Sequence, residues 1–294
     1  MRFTFALFFY RLLFLLLTPL LLVLLLWRSV SHQAYRQRLL ERFGLLSSKL
    51  KPDGIIVHAA SVGEVIALKP FINELISNYP TLPITVTTFT PTGSAQVQKL
   101  FADQVQHCYL PLDNIVSTTW FLKRLKPKAM VFMETELWPN LIAQCKNKQI
   151  KLLLVNGRLS DKSMRSYQKL AWLITPAIQR FDNILTQSQF NQDNYLAMGA
   201  APEHCKLAGN LKFDIALNPD VAAKQQELAS FITDTRKIWL VASTHPGDEA
   251  LVLTAFEQIK QQDSTALLII VPRHPERFVQ VTELAKNAGN MVLK

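Results

Sequence analysis

Cysteine is scarce. The three residues Cys108, Cys145 and Cys205 lie far apart and form no CxxC pair or other metal-ligand spacing, so they read as reduced thiols of a cytoplasmic environment. The six histidines include no H-x-x-x-H and no mixed Asp/His spacing, and no metal or other cofactor is expected. Net charge is +10, yet no long block of one sign carries it, which describes a basic surface and not a basic tail. No recognition-helix pattern and no interleaving of aromatic and basic residues along a sheet face occurs, so a nucleic-acid partner is not expected. An anionic membrane surface or a phosphorylated small molecule is. No repeat of fixed period is present, and no low-complexity tract beyond the amino-terminal apolar run.

That run is the most conspicuous feature present. Residues 5–27, "FALFFYRLLFLLLTPLLLVLLLW", are apolar except for Arg11 and a few neutral polar groups, and exceed the roughly 20 residues that cross a bilayer core. The stretch is too long for a signal-peptide core and no A-x-A site follows. Arg28, Arg36, Arg38 and Arg42 come next, so the positive-inside rule puts the remainder in the cytoplasm. Residues 1–30 are expected to be a retained anchor, either spanning or deeply monotopic. Arg11 is expected to snorkel to the interface.

From Gly54 short apolar runs alternate with amphipathic stretches. Strands are expected at 54–59, 83–89, 106–110, 128–133, 151–155, 183–187 and 204–208, with helices at 62–78, 91–102, 114–125, 136–148, 161–173 and 189–198. Alternation of this kind predicts an α/β fold with a parallel sheet covered on both faces. The rhythm breaks near "NLKFDIALNPD" (210–220) and resumes with a helix at 220–232, strands at 237–242, 266–271 and 290–293, and helices at 247–261 and 276–287. The expected domains are 31–218 and 219–294. The second is short for a doubly wound unit and closes on the strand-like "NMVLK", so the chain is expected to end inside a domain.

Five polar clusters follow strands: "HAASVGE" (58–64), "TFTPTGS" (88–94), "METELWPN" (133–140), "ASTHPGDE" (242–249) and "PRHPER" (272–277). In an open parallel sheet ligands bind beyond the strand carboxyl ends. Each cluster also opens a helix, and any one alone reads as a cap: Ser61 and Glu64 have the spacing of a capping box. Caps do not require His, Arg and paired Glu as well. Glu64 is the candidate proton acceptor, beside Gly63, which lets a ligand approach the backbone. Glu134 or Glu136 is expected to position or tune it. Thr90, Thr92, Gly93 and Ser94 line the same edge. In the second unit two helix starts, with Arg273 and Arg277, suit an anion, and His245 and His274 lie in the same clusters, open to a structural or a functional reading. His58 and His107 read as core histidines. A rival reading makes "AASVG" a nucleophile elbow, with Ser61, Asp214 or Asp248, and His245 or His274 as a hydrolase triad.

These clusters, with "NGRLSDKS" and "GNLKFD", resemble in order the 3-deoxy-D-manno-octulosonic acid (Kdo) transferases of lipopolysaccharide synthesis, and "PLLLVLLLWRS…AYRQRLLERFG" looks like that family's anchor. The resemblance implies a GT-B glycosyltransferase of two Rossmann-like domains. It implies transfer of Kdo from CMP-Kdo to the 6′-hydroxyl of a lipid A precursor (lipid IVA), with inversion and without a metal. It implies that Glu64 is the base, and that Arg273 and the Ser243-Thr244-His245 run serve the donor. The family's glycine-rich G-G-H-N-x-L-E-P-like motif does not occur before Lys294. A truncated, inactive membrane-tethered remnant is therefore the alternative expectation.

Overall fold

The computed structural model describes residues 2–31, 33–214, 220–231 and 236–292. The chain separates into two compact units, Met1–Ala216 and Leu217–Lys294.

The first unit opens with helix α1 (Arg2–Ser31) and then builds seven strands: β1 (Ile55–His58), β2 (Ile84–Thr88), β3 (Gln106–Tyr109), β4 (Ala129–Met133), β5 (Lys151–Gly157), β6 (Asn183–Thr186) and β7 (Cys205–Leu207). All pair in parallel, in the order β3-β2-β1-β4-β5-β6-β7. The order reverses between β1 and β4, which are neighbours although two strands separate them in sequence. Strand side chains alternate between two cores, as the period of two demands. Ile56, Met130, Phe132, Leu152 and Leu154 fill one, and Val57, Val86, Val131, Met133 and Val155 the other. Both faces are buried, hence the near-continuous Ile, Val and Leu runs that marked these strands.

The covering helices are α2 (Val62–Ala67), α3 (Lys69–Asn78), α4 (Pro91–Phe101), α5 (Ile115–Leu125), α6 (Pro139–Asn147), α7 (Asp161–Gln168), α8 (Ala171–Ile178) and α9 (Gln189–Ala197). Two single helices expected from the sequence are each broken in two. The 62–78 helix divides at Leu68 because Pro70 has no N–H to continue the ladder and fits only the first turn of a new helix. The 161–173 helix ends at Gln168, and α8 restarts so that Leu173 packs against Ala6 and Leu7 of α1.

The second unit contains α10 (Asp220–Phe231), β8 (Ile238–Thr244), α11 (Asp248–Gln262), β9 (Leu267–Pro272) and α12 (Phe278–Asn287). β8 and β9 pair in parallel, with a register shift between Ala242 and Thr244. Of the strand expected at 290–293, residues 290–292 are irregular and residue 293 lies outside the described residues.

The basic flank also differs from expectation. Arg42 is buried among the Tyr109, Phe89 and Tyr35 rings, and Arg38 is bound to Ser94 and to the His107 carbonyl. Both arginines fasten residues 35–44 to the β2–β3 edge, Arg42 from a buried position and Arg38 from an exposed one.

Candidate active site

The reversal of strand order sets two loops side by side at the sheet's carboxyl edge, where such folds leave a crevice. One follows β1 and carries Ser61, Gly63 and Glu64; the other follows β4 and carries Glu134 and Glu136.

Glu64 sits in the first turn of α2. Its Oε2 accepts the Ala60 N–H at 2.8 Å and its Oε1 accepts the Ser61 hydroxyl at 2.8 Å. Ser61 Oγ caps the helix by accepting the Glu64 N–H at 3.4 Å. The reciprocal cap expected from the spacing is thus present, except that the carboxylate takes the N–H of Ala60 and not that of Ser61. Capping fixes the carboxylate without enclosing it: Gly63 is exposed, and a Cβ built there would meet nothing within 4 Å. Burial pushes the Glu64 carboxyl above its ordinary value, the Ser61 and Ala60 bonds oppose that shift, and the nearby Glu136 charge adds to it.

Glu136 and Glu134 divide in role. Glu136 Oε2 accepts the Trp138 indole N–H at 2.8 Å and lies 3.4 Å from His58 Nε2. Burial alone would raise the Glu136 carboxyl, but His58 and Trp138 outweigh it and hold the group below its ordinary value. Glu134 serves the fold through its backbone. It adopts φ 56°, and its carbonyl accepts the Tyr195 hydroxyl at 3.0 Å.

His58 is fully buried, as a core histidine would be, but it also joins the site. Its Nδ1 lies 3.0 Å from Thr87 Oγ1 and 3.2 Å from the Thr87 carbonyl. The ring thus has its Nδ1 edge against Thr87 and its Nε2 edge toward Glu136. This Thr87–His58–Glu136 chain joins β2, β1 and the β4 loop. Sequence reading missed it because its members are 29 and 78 residues apart.

The Thr90 cluster is partly structural. Thr90 Oγ1 accepts the Gly93 N–H at 3.1 Å and lies 3.4 Å from the Ala60 carbonyl, tying the β2 loop to the Glu64 loop. Thr92 is exposed above it. Gly93 is packed, since a Cβ would come within 3.0 Å of Thr90 Oγ1. Ser94, expected in the cleft, is instead buried, with its hydroxyl held by Arg38 and 2.8 Å from His107 Nε2.

In the second unit β8 and β9 bring Ser243, His245, Arg273 and His274 together at their carboxyl ends. Ser243 adopts φ 63° at the register shift, and the His245 and His274 rings lie 6.2 Å apart. Two expectations are corrected. Thr244 is buried and donates to Glu249 Oε1 at 2.7 Å. Arg277 is bound in bidentate fashion to the same buried carboxylate, at 2.7 and 3.0 Å. That guanidinium holds the Glu249 carboxyl down at about 2. Thr244 and Arg277 therefore lock the loop through Glu249. The start of α11 is likewise filled by its own carboxylates, with Asp248 Oδ2 accepting the His245 N–H at 2.8 Å. Arg273 is exposed, and none of the described residues pairs with its side chain.

Ser61 does not have the backbone of a hydrolase elbow. It has extended backbone, φ −127° and ψ 167°, where a nucleophile elbow is sharply strained, and its hydroxyl is engaged by Glu64. Among the described residues no three or more His, Cys, Asp or Glu side chains gather as metal ligands would.

The chain is similar to known proteins of one family. The family described as "3-Deoxy-D-manno-octulosonic-acid transferase (kdotransferase)" matches residues 37–215. A 3-deoxy-D-manno-octulosonic acid transferase of Haemophilus influenzae is 41% identical over 281 residues, covering 95% of this chain and 66% of the relative. One from Rickettsia bellii is 32% identical, covering 91% and 63%. A bifunctional glycosyltransferase/methyltransferase of Fusobacterium nucleatum is 31% identical, covering 90% and 41%. The chain thus spans 66% or less of the length of these relatives. Among solved structures, a UDP-GlcNAc 2-epimerase from Neisseria meningitidis superposes with a TM-score of 0.52 at 15% identity, over 80% of this chain and 69% of that one. The chain thus has an α/β fold of the GT-B class.

Proposed function

The chain belongs to the family of 3-deoxy-D-manno-octulosonic-acid transferases, and from that membership we propose that it transfers Kdo from CMP-Kdo to the 6′-hydroxyl of a lipid A precursor, with inversion. The observation that carries the reading is Glu64. It is a carboxylate raised above its ordinary value, held at the switch between β1 and β4, with open space at Gly63 beside it. As the acceptor oxygen attacks the anomeric carbon of Kdo, Glu64 takes the hydroxyl proton. The bond from that carbon to the CMP phosphate oxygen breaks, and its electron pair leaves with CMP. A positioned base contributes roughly 10²–10⁴-fold. Glu136, fixed by Trp138 and His58, keeps Glu64 basic through like charge. In the second unit the exposed Arg273, with Ser243, His245 and His274, is the donor-phosphate group. A lipid acceptor fits an apolar helix of 23 residues, Phe5–Trp27, with mean hydropathy 2.4. We place that helix in the inner membrane, with both α/β units on the cytoplasmic side.

The test is Kdo transfer by the intact natural protein and its Glu64→Gln and Ser61→Ala variants. Gln keeps the shape and the Ala60 bond but accepts no proton, so transfer should fall about 10²-fold or more with melting temperature and donor affinity little changed. Ser61→Ala removes a cap, costing about 1 kcal/mol of stability, and should retain most activity. Full activity in Glu64→Gln would sink the assignment.

A further inference from the structure

The membrane reading of α1 leaves two arrangements, a helix that crosses the bilayer and one that lies along it. We infer that α1 lies in the plane of one leaflet, seated lengthwise on its own α/β unit, with only its outer side in lipid. The inference rests on that membrane reading.

Between residues 5 and 27 the polar side chains, Trp27 apart, are Tyr10, Arg11 and Thr18. At 3.6 residues per turn they fall within about 100° of arc. Each is bonded to the unit behind it. The Tyr10 hydroxyl donates to Asp113 Oδ2 at 2.8 Å, Arg11 Nε donates to Asn140 Oδ1 at 2.7 Å, and Asn114 Nδ2 donates to Thr18 Oγ1 at 3.3 Å. Arg11 therefore points into the protein and does not snorkel. The receiving groups are built for this. Asp113, Asn114 and Asn140 are buried, and Asp113 also accepts the N–H groups of Asn140 and Leu141 at the start of α6. Ala6 and Leu7, on the same side, pack against Ala143 and Leu173. Covered or half-covered positions recur at 6, 7, 10, 11, 14, 18, 21, 22 and 25, one stripe along the helix.

A spanning helix is incompatible with these bonds. With Trp27 at the cytoplasmic boundary and a rise of 1.5 Å per residue, Thr18 would lie about 13 Å deep and Tyr10 about 25 Å deep. The hydrocarbon core is about 30 Å thick, so Asp113, Asn114 and Asn140 would have to follow into it, or Arg11 would lose its partner there. In the plane, the bonds persist and the opposite side, with Phe5, Phe8, Leu16, Leu20 and Val23 exposed, meets acyl chains. Exposed Leu170 and Trp172 adjoin the seat at α8, and exposed Ile115 and Val116 adjoin it at α5, extending the apolar surface beyond the helix.

The test compares sidedness within the full chain. One protein carries a single added cysteine on a flexible leader ahead of Met1; a second carries Lys206→Cys, an exposed position on β7. The three native thiols are buried and give a low background. Both proteins are treated with a membrane-impermeant maleimide in intact spheroplasts and in inverted vesicles. Labelling of both sites from the same side is expected. Labelling of the leader from the opposite side to Lys206→Cys would overturn the in-plane seat while leaving membrane attachment intact. Release of the protein into the supernatant by alkaline carbonate, with no membrane-bound fraction, would instead remove the membrane reading and this inference with it.

Discussion

Glu64 is at once a cap and the candidate base, and the two roles support each other. Ser61 and the Ala60 N–H hold the carboxylate in one position, and partial burial makes it more basic than an exposed glutamate. Glu136 contributes by charge, which can be separated from shape. Glu136→Gln removes one of the effects that raise Glu64, so the acid limb of the kcat/KM profile should move to lower pH. A limb that stays in place while the rate falls would show that Glu136 acts by contact alone. In the second unit Glu249 is depressed to about 2 by Arg277. A carboxyl lowered on folding adds stability above its unfolded value, and that stability is lost as pH falls from the ordinary glutamate range toward about 2. Glu249→Gln should therefore weaken hydrogen-exchange protection of β8 and β9 at neutral pH. It should also abolish most of the difference between neutral and acid conditions. An acid dependence unchanged from wild type would refute the pair's role.

At the scale of elements, proline and neighbouring helices decide more than helix propensity. Pro70 ends one helix and begins another, and α8 is reset by its contact with α1. Residues 35–44 look like a basic juxtamembrane flank but serve as a clamp. Arg42 is buried among aromatic rings, its Nη2 donates to the Phe89 carbonyl at 3.0 Å, and its own carbonyl accepts the Leu112 N–H at 2.8 Å. That position holds the chain against the β2–β3 edge, beneath the loop that carries Thr90.

For the whole molecule, the two units differ in how completely their sheets are covered. β1, β4 and β5 are central strands, and Val57, Phe132 and Leu154 have no exposed surface. In β8, Ile238 and Leu240 are exposed at 43% and 59%, so that sheet is protected by far less packing. Hydrogen exchange should therefore be slowest in β1, β4 and β5 and clearly faster in β8 and β9, since local opening follows the apolar contacts that must be broken. Equal protection of the two sheets would show that burial within each unit does not govern their stability.

The sequence by itself determined the period-two and helical patterns, and with them the parallel α/β class and the seven strands of the first unit. Those features depend on neighbours along the chain. It also placed Glu64 at a strand-to-helix turn, because the S-x-x-E cap is local. Tertiary structure decided everything that depends on which strands become neighbours. The β1–β4 adjacency sets Glu136 rather than Glu134 toward Glu64, and recruits His58 through Thr87. Ser94, Thr244 and Arg277 are drawn into buried partners, although their sequence contexts look as polar as those of Thr92 and Arg273. The three polar residues of the amino-terminal helix read as blemishes in a spanning segment. They become a seat only when Asp113, Asn114 and Asn140 are brought beneath them, a juxtaposition across roughly a hundred residues or more that no local pattern encodes.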